Sequence, residues 1–469
     1  MAQPIVFGTD GWRGLIARDF TFPNVRRVAE ALSVVLRPRS RVAVGYDFRF
    51  LSAEFAEEAA RILSARGHRV FLAKEATTSP ALSFSLKGLG AAAGVMITAS
   101  HNPSSYNGFK IKVPPGRSAD PTFTALVESK IESEAPRPEP GPAPDAFSPR
   151  EGYLAHLLSR LNPALWRGKK PPIAVDAMHG TGGPVWTALF DRLGMKGEIV
   201  RGNRDPLFGG TAPEPIEKNL APLVDAVRRS KAALGVAVDG DADRLGIVDD
   251  TGAYLPPHTV FPLLLTHLVQ NRKLKGNVVQ AVSLGYLSER MAKAWGLPLT
   301  HVPVGFKYVA DEMARRKTLL GGEESGGFGV GLWGLERDGI LSGLLLIEMV
   351  LASGKPLSAL RREMAEKFGA SDFQRVDLPL RTPVPDKAAW AAAVAQRVPE
   401  KLAGRLVKEK RTADGLKIIL ADGAWLLLRP SGTEPLLRTY AETPDPAVTA
   451  QLLRKAQEWA GTKIGPPGS

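Results

Sequence analysis

Short apolar segments recur along the chain, and each ends at a turn residue that is followed by a helix-like stretch. The clearest of these runs are rich in β-branched residues: Val42–Gly45, Ile173–Val175 and Val278–Val282. Apolar strands that alternate with helices are typical of α/β folds, in which crossover helices join parallel strands. Because the runs lie more than a hundred residues apart, the pattern predicts a similar α/β unit used three times.

The last hundred residues follow a different pattern. The runs Leu416–Leu420 and Ala424–Leu428 predict two strands, and Asp422-Gly423 between them is typical of a tight hairpin turn. A helical pattern follows from about Pro446 to Ala460. These features predict a final domain of a different kind from the preceding α/β units.

Three places along the chain predict domain boundaries. Residues 135–149 are rich in proline, which favours an extended and exposed connector. Weaker boundaries fall near Tyr254–Pro257 and Gly369–Asp372. A chain of 469 residues is too long for one ordinary hydrophobic core. We therefore expect four domains, which cover residues 1–149, 150–254, 255–371 and 372–469.

Composition narrows the classes of function. The chain has no cysteine, so disulfides, thiolate metal sites and a cysteine nucleophile are excluded. Its formal net charge of +13 favours an anionic partner, either a nucleic acid or a small phosphorylated ligand. A generally Arg-rich surface would give the same charge, so charge alone does not decide between these interpretations.

No segment predicts export or membrane insertion. The N-terminal residues lack a basic region followed by an apolar one, and no uncharged apolar run approaches the length of a membrane span. The apolar stretch from Ile340 to Ala352 contains Glu348 and predicts a buried helix. Together with the absence of cysteine, this pattern leads us to expect a cytoplasmic protein.

Polar side chains follow an apolar run in the segment TASHNP, residues 98–103. The run Ala91–Ile97 predicts a buried strand, and ligands bind at the carboxyl ends of such strands in open α/β sheets. Ser100 would then be an exposed hydroxyl beside His101, although the Gly-x-Ser-x-Gly motif of serine hydrolases is absent. The alternative is a strand-to-turn cap in which Asn102-Pro103 forms the turn.

Three carboxylates alternate in DGDADR, residues 239–244, between two predicted strands. Like charges this close repel, so a folded loop seldom keeps Asp239, Asp241 and Asp243 together without a cation. Oxygen ligands favour Mg²⁺ or Ca²⁺, and the segment lacks the glycine and glutamate positions of an EF-hand. We interpret it as a metal site that a phosphate oxygen completes, with a solvated acidic turn as the alternative.

Three further segments carry groups that bind anions or hydroxyls. RPSGTEP begins at Arg429 and offers two hydroxyls and a glycine, which is the chemistry of a phosphate-binding loop. GGEESGG offers Glu323 and Ser325 to sugar hydroxyls, or else is a flexible connector. FGTDGWRG places Arg13 near the N-terminus, where it would reach an anion unless the segment is a simple turn.

As a set, these five segments resemble the α-D-phosphohexomutase superfamily in their order and approximate spacing, and the resemblance covers nearly the whole chain. It implies an α/β protein with four domains around a central cleft. Three similar α/β domains with mixed sheets would precede a smaller C-terminal α+β domain. The resemblance also implies Mg²⁺ as cofactor and a hexose 1,6-bisphosphate as activator and intermediate.

The resemblance assigns roles to individual residues. Ser100 matches the serine that is phosphorylated, and it joins Asp239, Asp241 and Asp243 as a ligand of Mg²⁺. Lys110 resembles the proposed general base, a role that requires a lowered pKa, which neighbouring Arg side chains and Mg²⁺ would provide. The other matches are catalytic residues, His101, Arg13 and Arg244, and substrate-binding residues, Gly305, Lys307, Glu323, Ser325, Arg429, Ser431, Gly432, Thr433 and Arg438.

The implied activity is that of an intramolecular phosphotransferase, which interconverts hexose 1-phosphate and hexose 6-phosphate through a phosphoserine and a bisphosphorylated sugar. Glu324 and Gly327 stand where glucosamine members more often have Gln and His, which favours glucose and, second, mannose. The alternatives are a phosphoglucosamine mutase and, more remotely, a non-catalytic phosphosugar-binding protein. We expect phosphorylated hexoses as ligands, a monomer or homodimer, and neither a nucleic-acid nor a membrane partner.

Overall fold

The structure is a computed structural model that describes residues 5–8, 10–131, 141–431 and 435–462. The predicted proline-rich connector at 135–149 therefore falls partly outside the described residues, as far as position 140. Within the described ranges the chain forms four sheets, one in each domain.

The first domain contains a seven-stranded mixed sheet. Its strands are β1 (Trp12–Leu15), β2 (Arg41–Tyr46), β3 (Arg69–Ala73), β4 (Ala93–Ile97), β5 (Tyr106–Val113), β6 (Arg117–Ser118) and β7 (Asp145–Phe147). The order is β1-β5-β4-β2-β3-β7 with β6 beside β5, and the strands from β4 to β7 in this order are parallel. The helices are α1 (Phe22–Val35), α2 (Ser52–Ala65), α3 (Ser79–Leu89) and α4 (Pro121–Glu128). Thr21, Thr78 and Asp120 cap three of them by accepting a backbone N–H hydrogen bond.

The second domain follows α5 (Pro149–Arg160) and contains a five-stranded sheet. Its strands are β8 (Ile173–Asp176), β9 (Gly197–Val200), β10 (Leu234–Val238), β11 (Leu245–Asp249) and β12 (Tyr254–Leu255), and its helices are α6 (Gly182–Leu193) and α7 (Ala221–Ser230). The order is β12-β11-β10-β8-β9, in which β10, β8 and β9 are parallel. The turn from β10 to β11 therefore presents residues 239–244 at the carboxyl edge of the parallel strands.

The third domain contains a four-stranded sheet in the order β14-β13-β15-β16. Its strands are β13 (Asn277–Ala281), β14 (Leu299–Val302), β15 (Thr318–Gly322) and β16 (Phe328–Gly329). Its helices are α8 (Pro257–Thr266), α9 (Tyr286–Ala294), α10 (Phe306–Arg315), α11 (Gly339–Ser353) and α12 (Leu357–Phe368). Strands β14, β13 and β15 are parallel, so this domain repeats the α/β pattern of the first two.

The fourth domain contains a six-stranded antiparallel sheet in the order β17-β22-β21-β20-β19-β18 when its strands are numbered along the chain. These strands are β17 (Asp372–Pro379), β18 (Lys401–Leu402), β19 (Arg405–Arg411), β20 (Leu416–Leu420), β21 (Trp425–Pro430) and β22 (Leu436–Thr443), and the helices are α13 (Lys387–Gln396) and α14 (Pro446–Thr462). The predicted hairpin is formed by β20 and β21, and its turn lies at Asp422-Gly423, where Gly423 has a φ of 89°. Four sheets around a central cleft confirm the predicted fold class.

One hydrophobic core spans the second and third domains and reaches Trp425, Leu427 and Tyr440 of the fourth, whereas the first and fourth domains also have cores of their own. The helix α11 links the two middle domains because it is buried from Gly339 to Val350 and contacts both β10 and β11. Glu348 lies inside this apolar helix, where its Oε1 accepts a hydrogen bond from Arg272 Nη1 at 2.6 Å. The buried carboxylate is thus paired, which removes most of the cost of burying it.

No single helix among the described residues has both the length and the hydropathy of a membrane span, although α11 and α12, bent by 85°, pass that test as a pair.

Buried polar contacts join the domains around the cleft. Between the first and third domains, Lys112 on β5 donates a hydrogen bond to the Glu336 carboxylate. Between the third and fourth domains, Lys417 on β20 donates to the carbonyl oxygen of Val282 at 2.7 Å. Because these side chains are buried, each contact helps to fix the relative position of two domains that line the cleft.

Candidate active site

Ser100 follows β4 at the carboxyl edge of the first sheet, and it is fully buried rather than exposed as the sequence predicted, because the acidic loop of the second domain covers it. Its φ of 53° lies in the left-handed region, which serine seldom adopts. In this conformation the Ser100 Oγ donates a hydrogen bond to Asp239 Oδ2 at 2.6 Å. The hydroxyl of the first domain therefore meets the acidic loop of the second domain directly.

The acidic loop brings together Asp239, Asp241 and Asp243, all of which are fully buried. One oxygen from each carboxylate lies within 4.8 Å of the others. Gly240 allows this loop to approach the serine, since a Cβ there would lie 2.7 Å from the Ser100 carbonyl oxygen. The close contact between the two domains thus depends on a glycine between the first two aspartates.

The carboxylates fit a hard cation. Asp241 Oδ1 and Asp243 Oδ1 are buried, and neither has a hydrogen-bond partner among the described residues. Burial, together with the charges of Asp243 and Asp241, raises the pKa of Asp239 well above its ordinary value. A divalent cation would stabilise the ionised cluster, and carboxylate oxygens are the ligands that Mg²⁺ prefers in proteins.

Lys110 on β5 points into the same cluster. Its Nζ lies 2.8 Å from Asp241 Oδ2, 3.0 Å from Asp243 Oδ2 and 2.8 Å from Asp10 Oδ2. Burial acts to lower the pKa of Lys110, but these three carboxylates outweigh burial and raise it. The lowered pKa expected from the sequence is therefore not found, because carboxylates rather than cations are its nearest charged neighbours.

Positive side chains and a neutral imidazole line the cleft beside the serine. Arg13 Nη1 donates to Asn102 Oδ1 at 2.6 Å, which connects β1 to the serine loop. Burial and the charges of Arg244 and Arg13 lower the pKa of His101 well below its ordinary value. His101 Nδ1 lies 3.5 Å from the Ser100 Oγ, too far for a strong hydrogen bond. The arrangement suits an anion that approaches from the cleft.

The glycine-rich segment after β15 presents Glu323 and Ser325 to the cleft. Glu323 Oε1 accepts hydrogen bonds from Ser325 Oγ at 2.6 Å and from Arg337 Nη1 at 3.2 Å. The other end of this guanidinium, Nη2, donates to Asp243 Oδ2 at 2.8 Å and also to Asp10. Arg337 therefore connects the predicted sugar-binding loop to the acidic cluster.

Arg429, at the end of β21, faces the cleft from the fourth domain. Its Nε donates to Asp414 Oδ2 at 2.8 Å, and the same oxygen accepts from the backbone N–H of Val304 at 2.9 Å. Val304 precedes Gly305, whose φ of 129° lets the chain turn into α10. Asp414 thus ties the predicted phosphate-binding arginine to the predicted substrate-binding segment of the third domain.

One cavity with a volume of about 690 Å³ lies among the four domains. The predicted residues that line it are Arg13, His101, Arg244, Gly305, Glu323, Ser325, Arg429 and Arg438. Ser100, Lys110 and the three aspartates are buried next to these lining residues. This volume lies in the range of about 300–1,000 Å³ that is usual for small-molecule sites.

Two other predicted substrate-binding residues, Lys307 and Ser431, are not among those that line the large cavity. Lys307 does not line the large cavity and instead borders a small pocket together with Asp10 and Lys110. Ser431 is buried, and its backbone N–H donates to the carbonyl oxygen of Leu436 at 2.8 Å. The other two positions, Gly432 and Thr433, lie outside the described residues.

Family models match nearly the whole chain. Those for phosphoglucomutase/phosphomannomutase alpha/beta/alpha domains I, II and III and for the C-terminal domain match residues 4–138, 151–252, 256–368 and 380–457. The chain belongs to the phosphoglucomutase/phosphomannomutase family. The predicted enzyme class, a phosphotransferase mutase of the α-D-phosphohexomutase superfamily, is thereby confirmed.

Relatives in the phosphoglucomutase/phosphomannomutase family carry different substrate names. A probable phosphoglucosamine mutase of Thermococcus gammatolerans is 33% identical and matches over 96% of this chain and 97% of its own length. A phosphoglucomutase/phosphomannomutase of Thermococcus kodakarensis is 30% identical and matches over 93% of this chain and 94% of its own length. The crystal structure of a putative phosphomannomutase from Thermus thermophilus has a TM-score of 0.87 at 34% identity, covering 98% of this chain and 100% of that one. These names point to no single sugar.

Three residues of the site were not predicted from the sequence. Asp10 lies inside the segment FGTDGWRG, so its charge next to a glycine was a signal that could have identified it. Arg337 and Asp414 lie in segments without a recognisable motif, and only the fold brings them to the site. The site of this chain therefore contains charged side chains that connect its motifs to one another.

Proposed function

We propose that this family member interconverts hexose 1-phosphate and hexose 6-phosphate, with glucose 1-phosphate as its preferred substrate and mannose 1-phosphate as a second one. The observation that carries the proposal is the 2.6 Å contact between Ser100 Oγ and Asp239 Oδ2. The proposed nucleophile thereby contacts a carboxylate of the proposed metal site, beside a cavity that Arg429 also lines. The phosphoryl group that is transferred and the phosphate that is not transferred would then be bound by different side chains.

The chemistry divides between the two ends of the cavity. At one end the P–O bond to Ser100 Oγ breaks and a P–O bond to a free sugar hydroxyl forms, while a base accepts the hydroxyl proton. The resemblance to the family pattern gives this role to Lys110, and Mg²⁺ on the three aspartates would offset the carboxylate charges that raise its pKa in the metal-free site. At the other end Arg429 and Arg438 hold the phosphate that does not react. The bisphosphate then reorients within the cavity, and its other phosphoryl group is transferred to Ser100 Oγ.

Asp239, Asp241 and Asp243 would hold Mg²⁺, because their oxygens converge and two of them have no hydrogen-bond partner among the described residues. The ion would neutralise charge on the transferring phosphoryl group. The protein contributes the alignment of Ser100 with this cluster, and Arg13 and Arg244 add positive charge on the cleft side. A hexose 1,6-bisphosphate would supply the phosphoryl group that first loads Ser100.

The substrate assignment depends on two positions in the sugar-binding loop. Glu324 lines the cleft and accepts a hydrogen bond from Ser283 Oγ. A Cβ at Gly327 would lie 2.8 Å from Arg337 Cδ and 3.2 Å from Glu323 Oε1. A histidine at 327, which is more typical of glucosamine members, would therefore displace Arg337, so this site departs from their pattern.

A phosphoglucosamine mutase is the second candidate. Two of the relatives with that name are 33% and 32% identical to this chain over nearly its whole length. The carboxylate of Glu324 faces the cleft, where it would attract the ammonium group of glucosamine 1-phosphate. The two candidates share the same transfer chemistry and differ only in which sugar the loop accepts.

A comparison of three substrates tests both candidates. We expect kcat/KM for glucose 1-phosphate to exceed that for glucosamine 1-phosphate by about 10-fold or more, since one differing polar contact changes discrimination by at least that much. Mannose 1-phosphate should fall between them. Each assay contains Mg²⁺ and a trace of glucose 1,6-bisphosphate. A higher value for glucosamine 1-phosphate would support the second candidate, whereas no turnover of any of the three would refute the mutase proposal.

Arg429→Met is expected to raise KM by about 10- to 100-fold with a much smaller effect on kcat, because loss of a charged hydrogen bond costs about 1.5–3 kcal/mol. The phosphate is held in the ground state and in the transition state alike, so the loss appears mainly in KM. Steady-state kinetics with glucose 1-phosphate measure the change. Arg405→Met is the control, because Arg405 pairs with Asp422, in the turn at the opposite end of β21. An unchanged KM in Arg429→Met would contradict the assignment.

A further inference from the structure

The loop that carries Ser100 closes around one buried arginine. Arg49, which follows β2, is only 1% exposed, and its guanidinium donates four hydrogen bonds to backbone carbonyl oxygens of this loop. The acceptors and distances are Ser100 at 2.6 Å, Asn102 at 2.6 Å, Pro103 at 2.7 Å and Tyr106 at 3.0 Å. Arg49 does not line the large cavity, so any effect on the reaction acts through the loop.

A buried carboxylate holds the arginine and the other side of the loop. Asp47 Oδ2 lies 3.2 Å from Arg49 Nε and accepts a hydrogen bond from Thr98 Oγ1 at 2.6 Å. Thr98 Oγ1 in turn accepts from the backbone N–H of Ser100 at 2.9 Å. Both backbone polar groups of Ser100 are therefore fixed, the carbonyl by Arg49 and the N–H through Asp47 and Thr98.

This double attachment coincides with the left-handed φ of 53° at Ser100. A serine without such contacts favours negative φ values, which would turn its side chain elsewhere. The observed backbone directs the Oγ to within 2.6 Å of Asp239 Oδ2. The conformation that aligns the nucleophile is thus one that the surrounding hydrogen bonds must maintain.

The second domain also contacts the arginine. The ring of Phe208 covers the Arg49 guanidinium, with Cζ 4.8 Å from the ring centroid. Asp205 holds the Phe208 turn by accepting hydrogen bonds from the backbone N–H groups of Leu207 and Gly209, each at 2.9 Å. The contact connects the serine loop to the domain that supplies the three aspartates.

We propose that Arg49, held by Asp47, is the positioning residue of the nucleophile, and this inference rests on the proposed phosphoserine function. Arg49 maintains the left-handed backbone at Ser100 and so aims the Oγ at the acidic cluster. Its planar guanidinium presents several N–H groups in a fixed fork, which suits carbonyl oxygens spread over seven residues. A lysine ammonium is a compact charge with three donors, and it does not reproduce the planar arrangement of N–H groups that bonds these carbonyl oxygens.

Arg49→Lys is expected to lower kcat by about 100-fold, since displacing a reacting atom by about 1 Å costs roughly that factor. KM for glucose 1-phosphate should stay within about 2-fold, because the residues that line the cavity are unchanged. Mass spectrometry after rapid mixing with glucose 1,6-bisphosphate follows phosphorylation of Ser100 itself. The loading rate of the variant should fall by the same factor as kcat.

Arg201→Lys provides a matched control in the second domain. Arg201, which follows β9 and is half-buried, pairs with the buried Asp176 at the end of β8: its Nε donates to Asp176 Oδ1 at 2.9 Å and its Nη2 donates to Asn219 O at 3.0 Å. Because these partners belong to the second domain and not to the serine loop, the variant should lose stability without losing kcat.

In Arg49→Ala, millimolar guanidinium chloride should restore part of kcat, whereas methylammonium chloride should not.

The outcomes separate positioning from general stability. A wild-type kcat in folded Arg49→Lys, an equal loss of kcat in Arg201→Lys, or a raised KM with unchanged kcat would each overturn the proposal.

If Arg49→Lys does not fold, Phe208→Leu replaces it. The expected result is then a kcat about 3- to 10-fold lower at unchanged KM, because one cation–π contact is lost. An unchanged kcat there overturns the proposal. Wild-type protein that bisphosphate never phosphorylates at Ser100 would instead refute the proposed function.

Discussion

Ser100→Ala is expected to lower turnover of glucose 1-phosphate by a factor on the order of 10⁴ or more, because the proposed carrier of the phosphoryl group is gone. The substitution removes one hydroxyl from a buried site and one hydrogen bond, the 2.6 Å bond to Asp239. The fold should therefore remain, as judged by the circular dichroism spectrum and a cooperative thermal transition. Incubation with glucose 1,6-bisphosphate should add no phosphoryl group to the variant.

Ser288→Ala is the matched control for this change. Ser288 is also fully buried, and its Oγ donates to Gln280 Oε1 at 2.6 Å within the third domain, away from the cluster. It should show a comparable loss of stability and nearly normal kcat. Retained phosphoryl transfer in Ser100→Ala would contradict the proposed mechanism, whatever the control shows.

Asp241→Asn is expected to reduce the rate by about 10²- to 10³-fold at saturating substrate and Mg²⁺, comparable to removing one group that stabilises transition-state charge. The change removes the negative charge of a proposed Mg²⁺ ligand, whose Oδ1 has no hydrogen-bond partner among the described residues. It also removes a charge that lies 2.8 Å from Lys110 Nζ. Initial rates across a series of MgCl₂ concentrations measure both the maximal rate and the concentration of Mg²⁺ needed to reach half of it.

The half-saturating Mg²⁺ concentration should rise in Asp241→Asn and stay unchanged in Asp250→Asn. Asp250 follows the far end of β11 and accepts hydrogen bonds from the N–H and Oγ of Ser358, at 2.8 and 2.9 Å. Removing Mg²⁺ from the wild type with EDTA should abolish turnover, and added MgCl₂ should restore it. Full activity of Asp241→Asn in Mg²⁺ would remove the metal assignment.

The sequence was most informative where one short segment carries several groups of the candidate site. Asp239, Asp241 and Asp243 lie close together in the sequence, so their repulsion and their ligand chemistry are evident before any fold is known. Ser100 was visible for a similar reason, since it follows an apolar run that forms β4. The α/β pattern of three domains was equally local, because strands and helices alternate along the chain.

Groups that act between segments were not predictable in this way. Arg337 contacts Glu323, Asp243 and Asp10, which belong to three different parts of the chain. No pattern around residue 337 indicates these partners, because they depend on how three domains pack. The surroundings of Lys110 were misjudged for the same reason: the sequence pointed to nearby arginines, and the fold brought three carboxylates closer.

The distribution of the site over four domains has a consequence during translation. Ser100 leaves the ribosome more than three hundred residues before Arg429, and at about 5–20 residues per second the delay is on the order of tens of seconds. The first domain has a core of its own and can fold during that interval, whereas the core that spans the second and third domains is complete only when both have been synthesised. The loop that contains Ser100 can therefore form well before Arg429 is available to bind a sugar phosphate. Under the proposed mechanism, catalysis begins only after synthesis is nearly finished.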